Sequence, residues 1–81
     1  MLYIVYVLKN GRGELYIGQT KNINDRMVRH NTKRVKSTKH KGPYGLVHKE
    51  EFHTRAEAMR REKELKSGQG RQWIKKNFIG L

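Results

Sequence analysis

The chain has 81 residues and no cysteine, which allows one small domain (1–81) but no second binding domain, and excludes a disulfide framework or a thiolate zinc site. No apolar span reaches the length of a membrane helix, and Met1 runs straight into a strand pattern without a basic leader, so a cytoplasmic setting is expected. The formal net charge of +12 is tolerated best beside a polyanion, and no helix pairs a basic face with a bulky apolar one, so the charge indicates nucleic acid in preference to a membrane surface.

Leu2 to Leu8 is apolar on both faces, the pattern of an interior strand covered on two sides. Asn10-Gly11-Arg12-Gly13 reads as a turn, because glycine adopts left-handed backbone angles at little cost, and Glu14 to Gly18 as the returning strand. A hairpin closing symmetrically about Gly11 sets Tyr6 opposite Tyr16, with both phenols on one face. Gly18 permits close backbone approach or a sharp exit at the strand's end. Asn22, with Asp25 three positions on, opens a helix that runs to about Asn31 and is anchored by Ile23 and Met27. Arg26 and His30, four apart, project from one side of it toward the sheet's edge. Two phenols, a guanidinium and an imidazole converging over a small sheet suit phosphate chemistry better than a core.

Thr32 to Gly42 is basic and polar, carrying Lys33, Arg34, Lys36, Lys39 and Lys41 with almost nothing to bury. It reads as a solvated loop or as an arm that tracks a phosphate backbone, and the two roles are compatible. Together with Lys21 and Arg29 these are the candidate nucleic-acid contacts. Pro43 ends the segment, and Tyr44 to Phe52 forms a third strand. Thr54-Arg55-Ala56-Glu57 is a capping box that opens a helix from Arg55 to Lys66, closed by Ser67-Gly68. Ala58, Met59 and Leu65 make its apolar face, and Glu62 falls on or beside that stripe. A carboxylate directed inward is costly unless it meets a cation. Glu62 therefore either pairs with an arginine such as Arg26 or binds a divalent metal. Gly70 to Phe78 forms a short last helix whose Trp73, Ile74 and Phe78 dock on the core. The histidines at 30, 40, 48 and 53 show no helical pair at zinc-ligand spacing.

Ile4-Val5-Tyr6 ahead of Tyr16-Ile17-Gly18, then Arg26, His30 and an inward Glu62 on a later helix, resembles the GIY-YIG nuclease domain over essentially the whole chain. The likeness is to its small stand-alone members, similar to the N-terminal nuclease domain of an excinuclease. It extends to Leu-Val-His-Lys-Glu-Glu-Phe at 46–52 and Arg-Glu-Lys-Glu-Leu-Lys-Ser-Gly at 61–68. Ile4 stands where the family has the glycine of its name, a tolerant backbone position, while the phenol of Tyr6 is retained. The resemblance implies an α+β fold, a three-stranded antiparallel sheet flanked by helices in the order ββαβαα. It also implies a metal-dependent endonuclease that hydrolyses phosphodiester bonds in DNA, with RNA not excluded.

On that resemblance Tyr6 is the general base and Tyr16 its support, although two phenols on one face are not told apart by pattern. Arg26 is the phosphate clamp, His30 carries the proton away, Glu62 holds Mg²⁺ (or Mn²⁺), and Gly18 is structural at the site. Asn77 is a counterpart for a terminal asparagine that some members place nearby. Substrate specificity falls to a protein partner, and a double-strand break requires a dimer or two visits, since one metal site cuts one strand. The alternative is a catalytically inactive nucleic-acid-binding module with the same basic surface.

Overall fold

The computed structural model describes residues 2–31 and 43–79. The basic segment with Lys33, Arg34, Lys36, Lys39 and Lys41 lies outside the described residues. The elements run β1 (Tyr3–Asn10), β2 (Leu15–Thr20), α1 (Ile23–Asn31), β3 (Tyr44–Phe52), α2 (Arg55–Lys66) and α3 (Gly68–Ile74), followed by a π-helical turn over Lys75–Ile79. This is the expected α+β order, with a sheet ordered β2-β1-β3 and antiparallel throughout.

The doubly apolar β1 is the central strand, and Ile4, Val5, Tyr6, Val7 and Leu8 are all buried. Side chains alternate across a strand, so β1 feeds two cores. Val5 and Val7 join Ile17, Ala58, Leu65 and Ile74 beneath α2 and α3. On the other face Tyr6 and Leu8 join Tyr44, with Tyr16 and the α1 anchors Ile23 and Met27 packed against them. A bulge between Val7 and Leu8 in the pairing with β3 shifts the alternation, so Asn10 faces Tyr44 while Val7 faces His48.

The β1–β2 hairpin corrects one expectation. Tyr6 pairs with Gly18, and Tyr16 pairs with Leu8. The turn centres later than Gly11 because Asn10 braces it: its Oδ1 accepts from the amides of Arg12 and Glu14, at 3.0 and 2.9 Å. Gly13 meanwhile takes the left-handed backbone at φ +80. The offset is two residues, an even number, so the phenols keep their shared face and become diagonal neighbours.

The helix starts follow their caps. Asn22 Oδ1 accepts from the Asp25 amide at 3.1 Å, and Thr54 Oγ1 accepts from the Glu57 amide at 3.2 Å. The end of α2 differs from the glycine stop expected. Ser67, in extended conformation, caps α2 through its backbone N–H and caps α3 through its side chain, so Gly68 begins the next helix instead of closing the last. Met59 is 53% exposed, leaving Ala58 and Leu65 as the buried face of α2. Of the last apolar group only Ile74 is fully buried; Trp73 and Phe78 stay exposed at 39% and 42%. Their rings pack on each other and on His48 at the surface instead of entering the core.

Candidate active site

Tyr6 projects from the central strand toward α1, and its Oη lies 3.1 Å from Nε2 of the buried His30. Tyr16 stacks beside it with ring centroids 6.2 Å apart, and meets the imidazole edge-on at 4.6 Å. Gly18 makes this packing possible. A Cβ built on Gly18 would fall 2.6 Å from Tyr6 Oη and 2.8 Å from Cζ, so the phenol rests on bare backbone. Tyr44 completes the cluster, buried and 6.2 Å from the imidazole. Nothing local in the sequence marks it, because its face depends on the β1–β3 register and the bulge.

The charges of Arg26 and Glu62 both act on the Tyr6 phenol. Burial raises the Tyr6 pKa far above the ordinary phenol range, and the charges of Tyr16 and Glu62 push it further up. Arg26 pulls the other way, by charge and by hydrogen bonding. Burial outweighs Arg26, and the phenol rests protonated. Burial, with help from Arg26, lowers the His30 pKa below the usual imidazole value, leaving the ring neutral at pH 7. Nε of Arg26 is buried without a hydrogen-bond partner among the described residues.

Glu62 comes from α2, the helix that packs on the other face of the sheet. Gln19 of β2 lines both the hollow holding Arg26 and the adjoining one holding Glu62, Lys63 and Lys66. The expected arginine partner of Glu62 is replaced: its Oε2 binds Lys66 Nζ one turn on, at 2.6 Å. The arginine pair found on α2 is Arg61 with Glu50, bidentate at 2.8 and 3.0 Å, and Glu50 also meets His48 at 2.8 Å. That second cluster lies on the α2–α3 face, away from Tyr6.

Glu62 has a side chain only 19% exposed, already carries an ammonium, and acts on the phenol's charge. Among the described residues no group of three or more His, Asp or Glu gathers as a cage. An ion held at Glu62 would take its remaining ligands from water and substrate oxygens, a donor set suited to Mg²⁺. The residues fit such an ion. Of the other candidates, Lys21 lines the Arg26 hollow, while Arg29 is paired with Asp25 at 3.1 Å on the exposed side of α1. Asn77, in the π-helical turn, donates its Nδ2 to the Trp73 carbonyl of α3.

Residues 2–77 match the family described as the GIY-YIG catalytic domain. A UPF0213 protein of Staphylococcus epidermidis is 39% identical over 74 residues, covering 90% of each chain. A UPF0213 protein of Staphylococcus aureus is 39% identical over 66 residues, 80% of each. The solution NMR structure of a UPF0213 protein from Bacillus halodurans superposes with a TM-score of 0.57 at 32% identity, covering 91% of this chain and 82% of that one. Among the described residues no helix is long and apolar enough to cross a membrane.

Proposed function

This chain belongs to the GIY-YIG catalytic-domain family, a nuclease family, and from that membership we propose that it is a metal-dependent endonuclease hydrolysing phosphodiester bonds in DNA. The observation that carries the reading is the Tyr6–His30 hydrogen bond over Gly18, on a phenol that both Arg26 and Glu62 influence. Arg26 offers a planar fork of donors to a nonbridging oxygen and neutralises charge as it builds on the phosphoryl group. The resting phenol must lose a proton before it can act as a base. Neutral His30 is in position to take that proton at Nε2, in the tautomer that keeps its proton on Nδ1. The phenolate then draws a proton from the attacking water as the new P–O bond forms and the bond to the leaving oxygen breaks. Tyr16 holds the ring of Tyr6 and the imidazole in register. When bound at Glu62, Mg²⁺ (or Mn²⁺) supplies Lewis-acid polarisation of the phosphoryl oxygens and charge relief at the leaving oxygen.

The test uses fluorescent single- and double-stranded DNA with Mg²⁺ and with chelator, for the wild type and Glu62→Gln. Cleavage should require the ion and fall about 10³-fold in the variant, the equivalent of the several kcal/mol such an ion supplies. Binding in chelator should be retained. Undiminished cutting by Glu62→Gln removes the metal role, and tight binding without cleavage under any condition leaves a nucleic-acid-binding module.

A further inference from the structure

Tyr3, Gln19, Thr20, Lys21, Arg26 and Arg55 line a hollow of about 220 Å³ that shares Arg26 with the candidate site. Three of these residues are cations and none is a carboxylate. Among the described residues Lys21, Arg26 and Arg55 take part in no ion pair, whereas Arg29, Arg61 and Lys66 are each held by an acid. Lys21 Nζ sits over the Tyr3 ring, 5.4 Å from its centroid, which steadies a flexible side chain at the rim. Arg55 is the first residue of α2, where the positive end of the helix dipole disfavours a cation. Three unneutralised cations gathered around one cavity repel one another, and an anion relieves that repulsion.

We propose that this hollow is a second phosphate subsite, taking the nucleic-acid backbone phosphate next to the one at Tyr6 and His30. Arg55 and Lys21 are its own ligands, and Arg26 is the wall it shares with the reaction site. Naming the ligand as a nucleic-acid strand rests on the nuclease reading, whereas anion binding rests on the lining charges alone. Gln19 links the hollow to the one containing Glu62, Lys63 and Lys66. The strand therefore passes along β2, from Arg55 and Lys21 toward Lys63. A contact of this kind sets register and salt dependence and reads no base.

Two measurements without cleavage test the subsite. In ¹H–¹⁵N NMR spectra titrated with inorganic phosphate at constant ionic strength, the Arg26 and Arg55 Nε–H signals should shift saturably. Arg55→Gln should weaken that binding several-fold, and Arg55→Lys, which keeps charge but loses the fork, should fall between. In chelator, anisotropy of a labelled oligonucleotide should show the slope of log K against log salt falling by about 0.7–0.9 in Arg55→Gln, the equivalent of one phosphate contact. Arg55 is exposed, and far-UV circular dichroism checks that both variants keep their fold. An Arg55 signal unmoved by phosphate, or an unchanged salt slope, overturns the proposal. Phosphate binding and the slope change without cleavage under any metal would remove the enzyme and keep the subsite.

Discussion

Gly18→Ala is the sharpest probe of how the site is assembled. Among the described glycines only Gly13 has a positive φ, so alanine at 18 meets no backbone objection and the whole effect is contact. Its methyl would lie 2.6 Å from Tyr6 Oη, 2.8 Å from Cζ and 3.3 Å from Tyr16 Cε1. Carbon neighbours rest about 3.5–4.0 Å apart, so the phenol must move by roughly 1 Å. It has nowhere free to go, being 1% exposed and bonded to His30. Overpacking of this kind costs about 1–3 kcal/mol, and replacing glycine in a strand returns about 0.5–1 kcal/mol. A net loss of about 0–2.5 kcal/mol, centred near 1, is expected in urea unfolding followed by Trp73 fluorescence. A 1 Å displacement of a reacting group costs about 10²-fold in rate, read in single-turnover cleavage. Combining Gly18→Ala with Tyr6→Phe removes the oxygen contact and leaves the one to Cζ. The double variant should then be less destabilised than the sum of the singles, by at least about 0.5 kcal/mol. Wild-type stability and rate in Gly18→Ala, or strict additivity in the cycle, refutes the reasoning.

Arg26→Ala should slow turnover about 10²-fold while weakening DNA binding much less, and the reverse pattern reassigns Arg26 to docking. His30 has a folded pKa below its unfolded value of about 6.5, so its contribution to stability is complete above that pH and is lost as pH falls below it. Urea midpoints should therefore drop between pH 7 and 5, and His30→Gln should flatten that slope; an unaltered slope locates the titration elsewhere. Glu50→Gln breaks the bidentate pair with half-buried Arg61 and should cost about 1–2 kcal/mol. Cleavage per folded molecule should stay intact, because Glu50 faces α2 and α3. Full stability with lost cleavage would overturn that assignment.

Local signals are legible in the sequence where the physics is local. The two-sided apolar run of β1, the Thr54 cap and the bounds of β3 and α2 all depend on neighbours within a few residues. Parity is legible too, since the shared face of Tyr6 and Tyr16 needs only even spacing. The register itself is not, because it hangs on two hydrogen bonds to Asn10 Oδ1 inside the turn. Glu62 stands out as an unusual carboxylate from its place on the α2 stripe. Helical periodicity says which side of a helix faces inward and nothing about which face of a sheet the helix covers. Its pairing with Lys66 in place of Arg26 is therefore hidden. His48, isolated in the sequence, has the pattern of a surface residue. Its bond to Glu50 lies within β3, but its stacking on Phe78 at 4.5 Å involves the end of the chain, which only tertiary structure brings alongside that strand.

The position of Tyr6 on β1 has a thermal consequence. β1 is bonded along both edges, so its amide protons should exchange with solvent mainly through opening of the whole molecule. Arg26 and His30 ride on α1, a nine-residue helix whose apolar anchors Ile23 and Met27 are half-buried. Such a helix detaches at lower cost than the strand, separating guanidinium and imidazole from a phenol that has not moved. On warming, turnover should therefore decline several degrees before the sheet's circular dichroism signal does, and a ligand bridging α1 to β1 should bring the two transitions together.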